Sequence, residues 1–301
     1  MSNARQLYPH SHNRCLANGK RDWQDLISVS LELVTPADAK QMLSGNTGNY
    51  RKIIPTNKSK IVSDMRKGRF SFTNNTIAFD VDSTLTDGQH RLEAIVESGT
   101  SQWFLIVRGM PIGAKDNPAT DTGARRSVGQ HLSRRSIVNA NVVASIARFL
   151  LTLRQGGKKR SGGMIITDTE IAEAVEKDDF LLEAGCVAIN SDARKAFTPS
   201  VLGTWYWLAI HENRPLAEKC FRIVSGKEDV VSSDPFLRCK EQLLVMKANK
   251  AQKIIDPDYQ LRLILAAWEK SRNGESCKLL RPLSIVKLSD KSDEALQQFG
   301  V

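Results

Sequence analysis

The amino-acid sequence predicts an α+β protein, with strands in the first half of the chain and helices in the second. Residues 27–33 and 76–81 alternate polar and apolar side chains, which is typical of half-buried strands. After about residue 137, apolar residues recur every three or four positions, which is typical of helices that bury one face. A chain of 301 residues that is 41% hydrophobic is long enough to form two modest domains.

We therefore expect three parts in the chain. Residues 1–24 are predicted to be a mobile leader, because they are mostly polar and lack the apolar core of a secretory signal. Residues 25–136 form the predicted strand-containing domain, and residues 137–301 form the predicted helical domain.

The amino-acid composition indicates which kinds of partner the protein is expected to bind. The formal net charge of +10 and the sequence pI of about 9.4 favour a polyanionic partner such as DNA. The five cysteines include no Cys-x-x-Cys pair, which argues against a disulfide framework or a zinc knuckle and favours the cytoplasm. No apolar run reaches the roughly 20 residues of a membrane span, so we expect no membrane partner.

The first strand, residues 27–33, carries Val29, Leu31 and Leu33 on one side, and we expect that side to be buried. A short helix follows, because Thr35 and the proline after it form a typical N-cap and first helical residue. The predicted domain thus opens with a strand and a helix.

A second group of elements follows between residues 76 and 107. The strand 76–81 continues through a polar turn towards Leu85, which predicts a hairpin. Leu92 and Ile95 then share one face of a helix, and the apolar run 103–107 predicts a buried strand. Strand, turn, helix and strand within about 30 residues match the size of a mononucleotide-binding unit.

The second half carries several signals of helix starts. Thr167 and Glu170 match a capping box, and prolines at positions 199 and 257 suit the first residue of a helix. An apolar stripe from Val142 to Leu153 predicts one long helix. The adjacent aromatic residues 205–207 are interpreted as packing residues rather than a base-stacking platform.

The segment from Asp87 to Arg91, between the hairpin and the next helix, is the strongest candidate site. The first N–H groups of a helix lack intrahelical partners, and with the helix dipole they attract anions. Gly88 permits a positive φ and a close approach of phosphate to the backbone. His90 can donate or accept a proton, and the planar guanidinium of Arg91 can donate two hydrogen bonds to phosphate oxygens. The alternative is that Asp87 only caps the helix and His90 and Arg91 lie on the surface.

The turn Gly88 to Arg91 resembles the Gly-Cys-His-Arg turn of sulfiredoxins and the Gly-Glu-Arg-Arg turn of ParB proteins. With Asp87 it also resembles the motif that names the DGQHR proteins, which include DndB proteins of DNA phosphorothioation systems, and the chain is similar to phage ParB-like proteins. The likeness extends from about Ser28 to Arg108. It implies a ParB/sulfiredoxin-like nucleotide-binding domain with a small mixed sheet, whose turn holds the phosphates of ATP or CTP.

Gln89 departs from both families. Sulfiredoxin chemistry depends on a cysteine at this place, so repair of cysteine sulfinic acid is not expected. The ParB turn carries a glutamate there, and a neutral Gln89 makes hydrolysis a weaker expectation than binding. Asp87, Asp80 or Asp82 can supply a carboxylate for Mg²⁺. Asp80 and Asp82 are better explained as ordinary turn residues.

A second phosphate clamp is one interpretation of the polar segment 121–127, in which Gly123 precedes Arg125 and Arg126. The segment is equally explained as an interdomain linker followed by a capped helix.

Basic side chains are candidate contacts to a nucleic-acid backbone in two places, a helix around residues 58–67 and a loop after residue 157. A solvated surface is the more common explanation of both. The candidate residues are Lys58, Lys60, Arg66, Lys67, Arg69, Lys158, Lys159 and Arg160.

These features favour a protein that binds ATP or another nucleoside triphosphate with Mg²⁺ and acts on or near DNA. The candidate nucleotide-binding residues are Gly88, Gln89, His90, Arg91, Arg125 and Arg126. Asp87 and His90 are candidate catalytic residues for NTP hydrolysis, and Asp87 is the candidate metal ligand. Three rivals stay open: a metal-dependent nuclease of the same fold, a DNA-binding regulator without catalysis, and a kinase. The oligomeric state is also open, and a homodimer is one of the alternatives.

Overall fold

The computed structural model describes residues 26–44, 53–111, 127–156, 165–248 and 255–300. The chain divides into two compact units, Met1–Arg125 and Arg126–Val301. All strands of the described residues belong to the first unit, and the described part of the second unit contains helices and loops. The predicted α+β class is therefore confirmed. The predicted leader, residues 1–24, lies outside the described residues.

The first unit combines a small mixed sheet with helices. Its described elements are β1 (Ser28–Val34), α1 (Pro36–Ser44), α2 (Pro55–Arg66), β2 (Thr76–Asp80), β3 (Leu85–Asp87), α3 (Gln89–Ser98) and β4 (Gln102–Met110). The strand order is β1-β4-β2-β3. Strand β4 is antiparallel to β1 and parallel to β2, and β2 and β3 form the predicted antiparallel hairpin.

The core of this unit lies between the sheet and the helices. Helices α1 and α2 pack against α3. Ile77, Leu92, Ile95 and Ile106 are all 0% exposed and belong to one apolar cluster. The alternating strands and the striped helix of the sequence thus meet in a single core.

The predicted buried side of β1 is wrong. Val29, Leu31 and Leu33 are 61%, 55% and 46% exposed, and Trp103, the first residue of the run predicted to be buried, is 51% exposed. The core side of the β1–β4 pair instead contains Glu32, whose carboxylate accepts hydrogen bonds from the Arg108 guanidinium. A period of two defines two faces but does not say on which face the helices pack.

Leu31→Ala and Leu92→Ala form a matched pair that tests this assignment. We expect Leu92→Ala to destabilise the first unit by about 2–5 kcal/mol because it leaves a cavity. Leu31→Ala should cost less than about 1 kcal/mol because Leu31 is largely in water. Hydrogen exchange of the β2 and β4 amides measures opening of this unit, and equal losses in the two variants would contradict the assignment.

The second unit is a helical assembly around a large apolar core. Its described helices are α4 (Val128–Ser133), α5 (Ala140–Arg154), α6 (Asp168–Lys177), α7 (Phe180–Ala188), α8 (Ala193–Ala196), α9 (Pro199–Val224), α10 (Pro235–Ala248), α11 (Pro257–Arg272) and α12 (Asp290–Gln298). Thr167 and Glu170 form the predicted capping box, and Pro199 and Pro257 open their helices. Trp205 and Trp207 are buried, which confirms their packing role.

Helix α9 contains a break. Asn213 has non-helical φ and ψ of −154° and 88°, and Pro215 lies just beyond it. The Asn213 side chain accepts a hydrogen bond from the Leu216 backbone N–H, so it caps the second helical segment.

Among the described helices, none has the length and apolarity required to cross a membrane.

A polar network on α7 and α9 makes the stability of this unit depend on pH. Glu183 accepts two hydrogen bonds from Arg214, at 2.7 and 3.0 Å, and one from the Tyr206 hydroxyl at 2.9 Å. The Arg214 hydrogen bonds lower the pKa of Glu183 below its ordinary 4.5, against the effect of burial. Burial, with the hydrogen bond to Glu183, raises the pKa of Tyr206.

Glu183→Gln tests this network. The folded carboxylate has the lower pKa, so its stabilisation is present above pH 4.5 and is lost as the pH falls through the folded pKa. We expect the variant to be about 1 kcal/mol less stable at pH 7, a value reduced for solvent exposure. We also expect a smaller loss between pH 5 and pH 3 than in wild type, measured by urea unfolding. Glu218→Gln is the control, because Glu218 Oε1 lies 3.5 Å from Arg214 Nη1, which is a longer and weaker contact than those of Glu183. A Glu183→Gln profile parallel to wild type would contradict this role of Glu183.

Candidate functional site

The candidate site is the turn between β3 and α3. Gly88 is the N-cap of α3, with φ of 110° and ψ of 2°, and α3 begins without a side-chain cap. A Cβ on Gly88 would lie 3.0 Å from Ile77 Cγ1 in β2. The requirement for glycine therefore comes from its backbone conformation and from packing on the sheet. The close approach of phosphate to the Gly88 backbone stays a prediction.

Arg91 is the central side chain of the site. Its Nη2 donates to the Thr76 carbonyl oxygen at 2.6 Å and to Asp87 Oδ2 at 2.7 Å. The side chain is only 18% exposed, so the interpretation of Arg91 as a surface residue is wrong. Its Nε is buried and has no hydrogen-bond partner among the described residues. The two bonds from Nη2 thus hold the guanidinium in place between the sheet and the turn.

Asp87 stabilises the turn in two ways. Its Oδ1 accepts from the Gly88 backbone N–H at 2.7 Å, and its Oδ2 pairs with Arg91. The side chain is 64% exposed, so it remains accessible to a cation. The described residues contain no cluster of three or more His, Cys, Asp or Glu side chains arranged for a metal. The catalytic and metal-binding roles of Asp87 stay predictions.

His90 joins two helix starts. Its Nε2 accepts a hydrogen bond of 2.9 Å from the backbone N–H of Ile54, which is the N-cap of α2. A proton on Nε2 would face that N–H and break the bond, so proton transfer through Nε2 requires α2 to shift. Gln89 is the first residue of α3 and is half-buried. The catalytic role of His90 stays a prediction, and its contact with Ile54 was not expected.

Two of the predicted nucleic-acid contacts hold α2 against α3. Lys58 Nζ pairs with Glu97 Oε2 at 2.8 Å, and this bond raises the pKa of Lys58. Arg66 Nη2 donates to the Glu97 carbonyl oxygen at 2.7 Å. Both side chains therefore have contacts within the fold. Lys60 lies in α2, and Lys67 and Arg69 follow it.

The remaining candidates divide into two groups. Asp80 is 8% exposed, and its Oδ1 accepts the backbone N–H groups of Asp82 and Thr84, which confirms Asp80 as a turn residue. The second predicted clamp and the basic loop lie outside the described residues; they comprise Arg125, Arg126, Lys158, Lys159 and Arg160.

Comparison of the chain with models of known families, with curated proteins and with solved structures finds no match. The geometry of the turn and its chemistry are therefore what indicate a function.

Gly88→Ala tests the turn, with Gly99→Ala at the other end of α3 as its control. Gly99 has φ of 72° and open space where a Cβ would lie, so its replacement should cost about 1 kcal/mol from backbone strain. Gly88→Ala adds the contact with Ile77, and we expect a loss of about 2–3 kcal/mol. Hydrogen exchange of α3 amides measures both, and equal losses would argue against the close packing on β2.

Proposed function

We propose that the first unit binds the phosphates of ATP or another nucleoside triphosphate at the start of α3, in the manner of ParB/sulfiredoxin-like domains, and that the protein acts on or near DNA. The observation that carries this proposal is the half-buried Arg91 guanidinium, which two hydrogen bonds from Nη2 hold in place beside the N-terminus of α3. A guanidinium fixed beside a helix N-terminus is a preformed group for phosphate oxygens.

The charge around the turn also favours an anion. The N-terminus of α3 carries the positive end of its dipole. This helix N-terminus and the Arg91 guanidinium then act on the same ligand. Phosphate oxygens are the acceptors that a guanidinium fork recognises best.

Asp87 is compatible with a bound phosphate. Its ion pair with Arg91 is exposed on the Asp87 side, and exposed pairs contribute only about 0–1 kcal/mol. A phosphate can therefore replace the carboxylate on Arg91 at small cost. The released Asp87 can then bind the Mg²⁺ that accompanies a triphosphate, because Mg²⁺ takes carboxylate and phosphate oxygens together.

Two further features support the proposed ParB/sulfiredoxin-like domain and the proposed DNA partner. The sequence order of hairpin, Gly-Gln-His-Arg turn and helix resembles the phosphate-binding turn of ParB and sulfiredoxin domains, with Gln89 in place of a charged or reactive residue. The net charge of +10 supports DNA as the macromolecular partner, because basic excess strengthens binding to phosphate backbones.

Isothermal titration of the full chain with ATP, CTP, GTP and UTP in Mg²⁺ tests the proposal. We expect at least one nucleotide to bind, and Arg91→Lys to weaken it about ten- to hundredfold, because lysine keeps the charge but loses the forked donors. Arg108→Lys is the matched control, since Arg108 also pairs with a carboxylate but on the β1–β4 face. Its affinity for nucleotide should equal that of wild type.

Two results would decide against the proposal. Absence of binding to all four nucleotides would overturn it, as would an equal effect of Arg91→Lys and Arg108→Lys when both variants melt like wild type. Titration onto duplex DNA at several salt concentrations tests the DNA component, and an affinity that does not fall with salt would contradict it. Nicking of a plasmid with Mg²⁺ and no nucleotide would favour the nuclease alternative.

A further inference from the structure

The face of the β1–β4 pair opposite the apolar core carries a continuous apolar surface. In β1 the valine and leucine side chains of this face are exposed, while Ser30 and Glu32, which alternate with them, are half-buried on the core side. An antiparallel sheet with one covered face normally shows the reverse, with its polar side chains towards water. The alternation of β1 is therefore regular, but its apolar side is the one that a single copy leaves exposed.

Three cross-strand pairs make up this surface, which we call the outer patch. Side chains directly opposite each other in an antiparallel pair are close enough to pack together. The three members from β1 and Trp103 are about half exposed, and the other two members are partly exposed. Single exposed apolar residues are common on proteins, whereas a contiguous group indicates a contact surface. The pairs are Val29 with Val107, Leu31 with Leu105 and Leu33 with Trp103.

The chemistry of the outer patch favours an uncharged partner surface. None of its six members is charged. The charged residues of the same two strands, Glu32 and Arg108, lie on the core side and pair with each other. The patch itself therefore gives no electrostatic attraction to DNA or to a charged peptide, and burial of apolar area is what would hold a partner on it.

A second copy of the chain supplies a surface that matches in area and shape. With roughly 100–150 Å² for a fully exposed valine or leucine and 200–250 Å² for tryptophan, the four exposed members present about 300 Å². Two copies packed on each other would bury about 600 Å² from these side chains, more than half of the roughly 1,000 Å² that a specific interface needs. Leu105, Val107 and the rim of the strands add to this area. Two apolar sheet faces pack well at a separation of about 10 Å.

We propose that the first unit forms a twofold homodimer in which the outer patches of two copies pack face to face. In such a contact each patch covers the other, so the assembly closes at two copies. The turn at Gly88 follows β3, at the opposite edge of the sheet from β1, so the dimer leaves the turn accessible in both copies. The interface stands without the function proposed for that turn.

Sedimentation equilibrium of the full chain, freed of nucleic acid with nuclease, tests the proposal between about 1 and 200 μM. The small area predicts a weak dimer, with a Kd on the order of 10 μM. Because the patch is apolar, the Kd should change less than about threefold between roughly 0.15 and 0.5 M salt. The indole N–H resonance of Trp103, identified by its loss in Trp103→Phe, should shift with protein concentration in the ¹H–¹⁵N spectrum. The resonance of the buried Trp207 should not.

Val29→Lys and Val245→Lys are a matched pair of variants. Both valines are largely exposed, at 61% and 72%, but Val245 lies on α10, outside the outer patch. Val29→Lys should weaken the dimer at least about tenfold, because it places a charge in each apolar face, and Val245→Lys should not weaken it. Leu31→Lys repeats the test at the centre of the patch. Arg91→Lys should leave the Kd of the dimer unchanged, which separates this interface from the proposed nucleotide site.

Four results would each overturn the proposal. They are a monomer over the whole concentration range, a dimer that neither Val29→Lys nor Leu31→Lys weakens, an equal loss in Val245→Lys, and a Trp103 resonance that does not move with concentration. Circular dichroism like that of wild type shows that the variants remain folded, which we expect because both substituted side chains in the patch are mostly in water.

Discussion

The hydrogen bonds of Arg91 are the interaction on which the first unit's site depends. They join the start of α3 to the carbonyl oxygen of Thr76, where β2 begins, while the neighbouring Ile77 packs against Gly88. His90 adds a bond to the start of α2. The turn is therefore fixed from the sheet and from a second helix, and this is the preorganisation that the proposed phosphate site needs, because a preformed site loses less conformational entropy on binding.

Local signals made much of this fold predictable. The hairpin, the helix that begins at Gln89, the capping box at Thr167 and the proline starts at 199 and 257 all follow from residues within one turn of each other. Such features depend on backbone preferences and on short-range hydrogen bonds, so one sequence is enough to find them. The same holds for Gly88 as the residue that ends the hairpin and opens a helix.

Long-range contacts were not predictable from the sequence, and they change the roles that individual side chains have. Lys58 and Arg66 looked like a basic surface, yet both hold α2 on Glu97 of α3. His90 looked like a proton carrier, and its Nε2 accepts from Ile54 instead. Helix α2 begins at Pro55, earlier than its basic face indicated, and that proline was the available signal for a contact near residue 54. The side of β1 that faces the core depends on where the helices pack, and the alternation of polar and apolar residues does not indicate this.

The contacts of Arg91 also fit the proposed phosphate site, because they divide into one that positions the side chain and one that an anion can replace. Its Nη2 donates to the Thr76 carbonyl oxygen and to Asp87 Oδ2. The bond to Thr76 fixes the guanidinium on the sheet, whereas Asp87 is 64% exposed and forms an ion pair of the weak, solvent-accessible kind. An anion at the start of α3 therefore competes with one exposed carboxylate and leaves the bond to Thr76 intact. A site of this kind keeps its geometry when its ligand binds, because the bond that orients Arg91 and the bond that the phosphate replaces are different bonds.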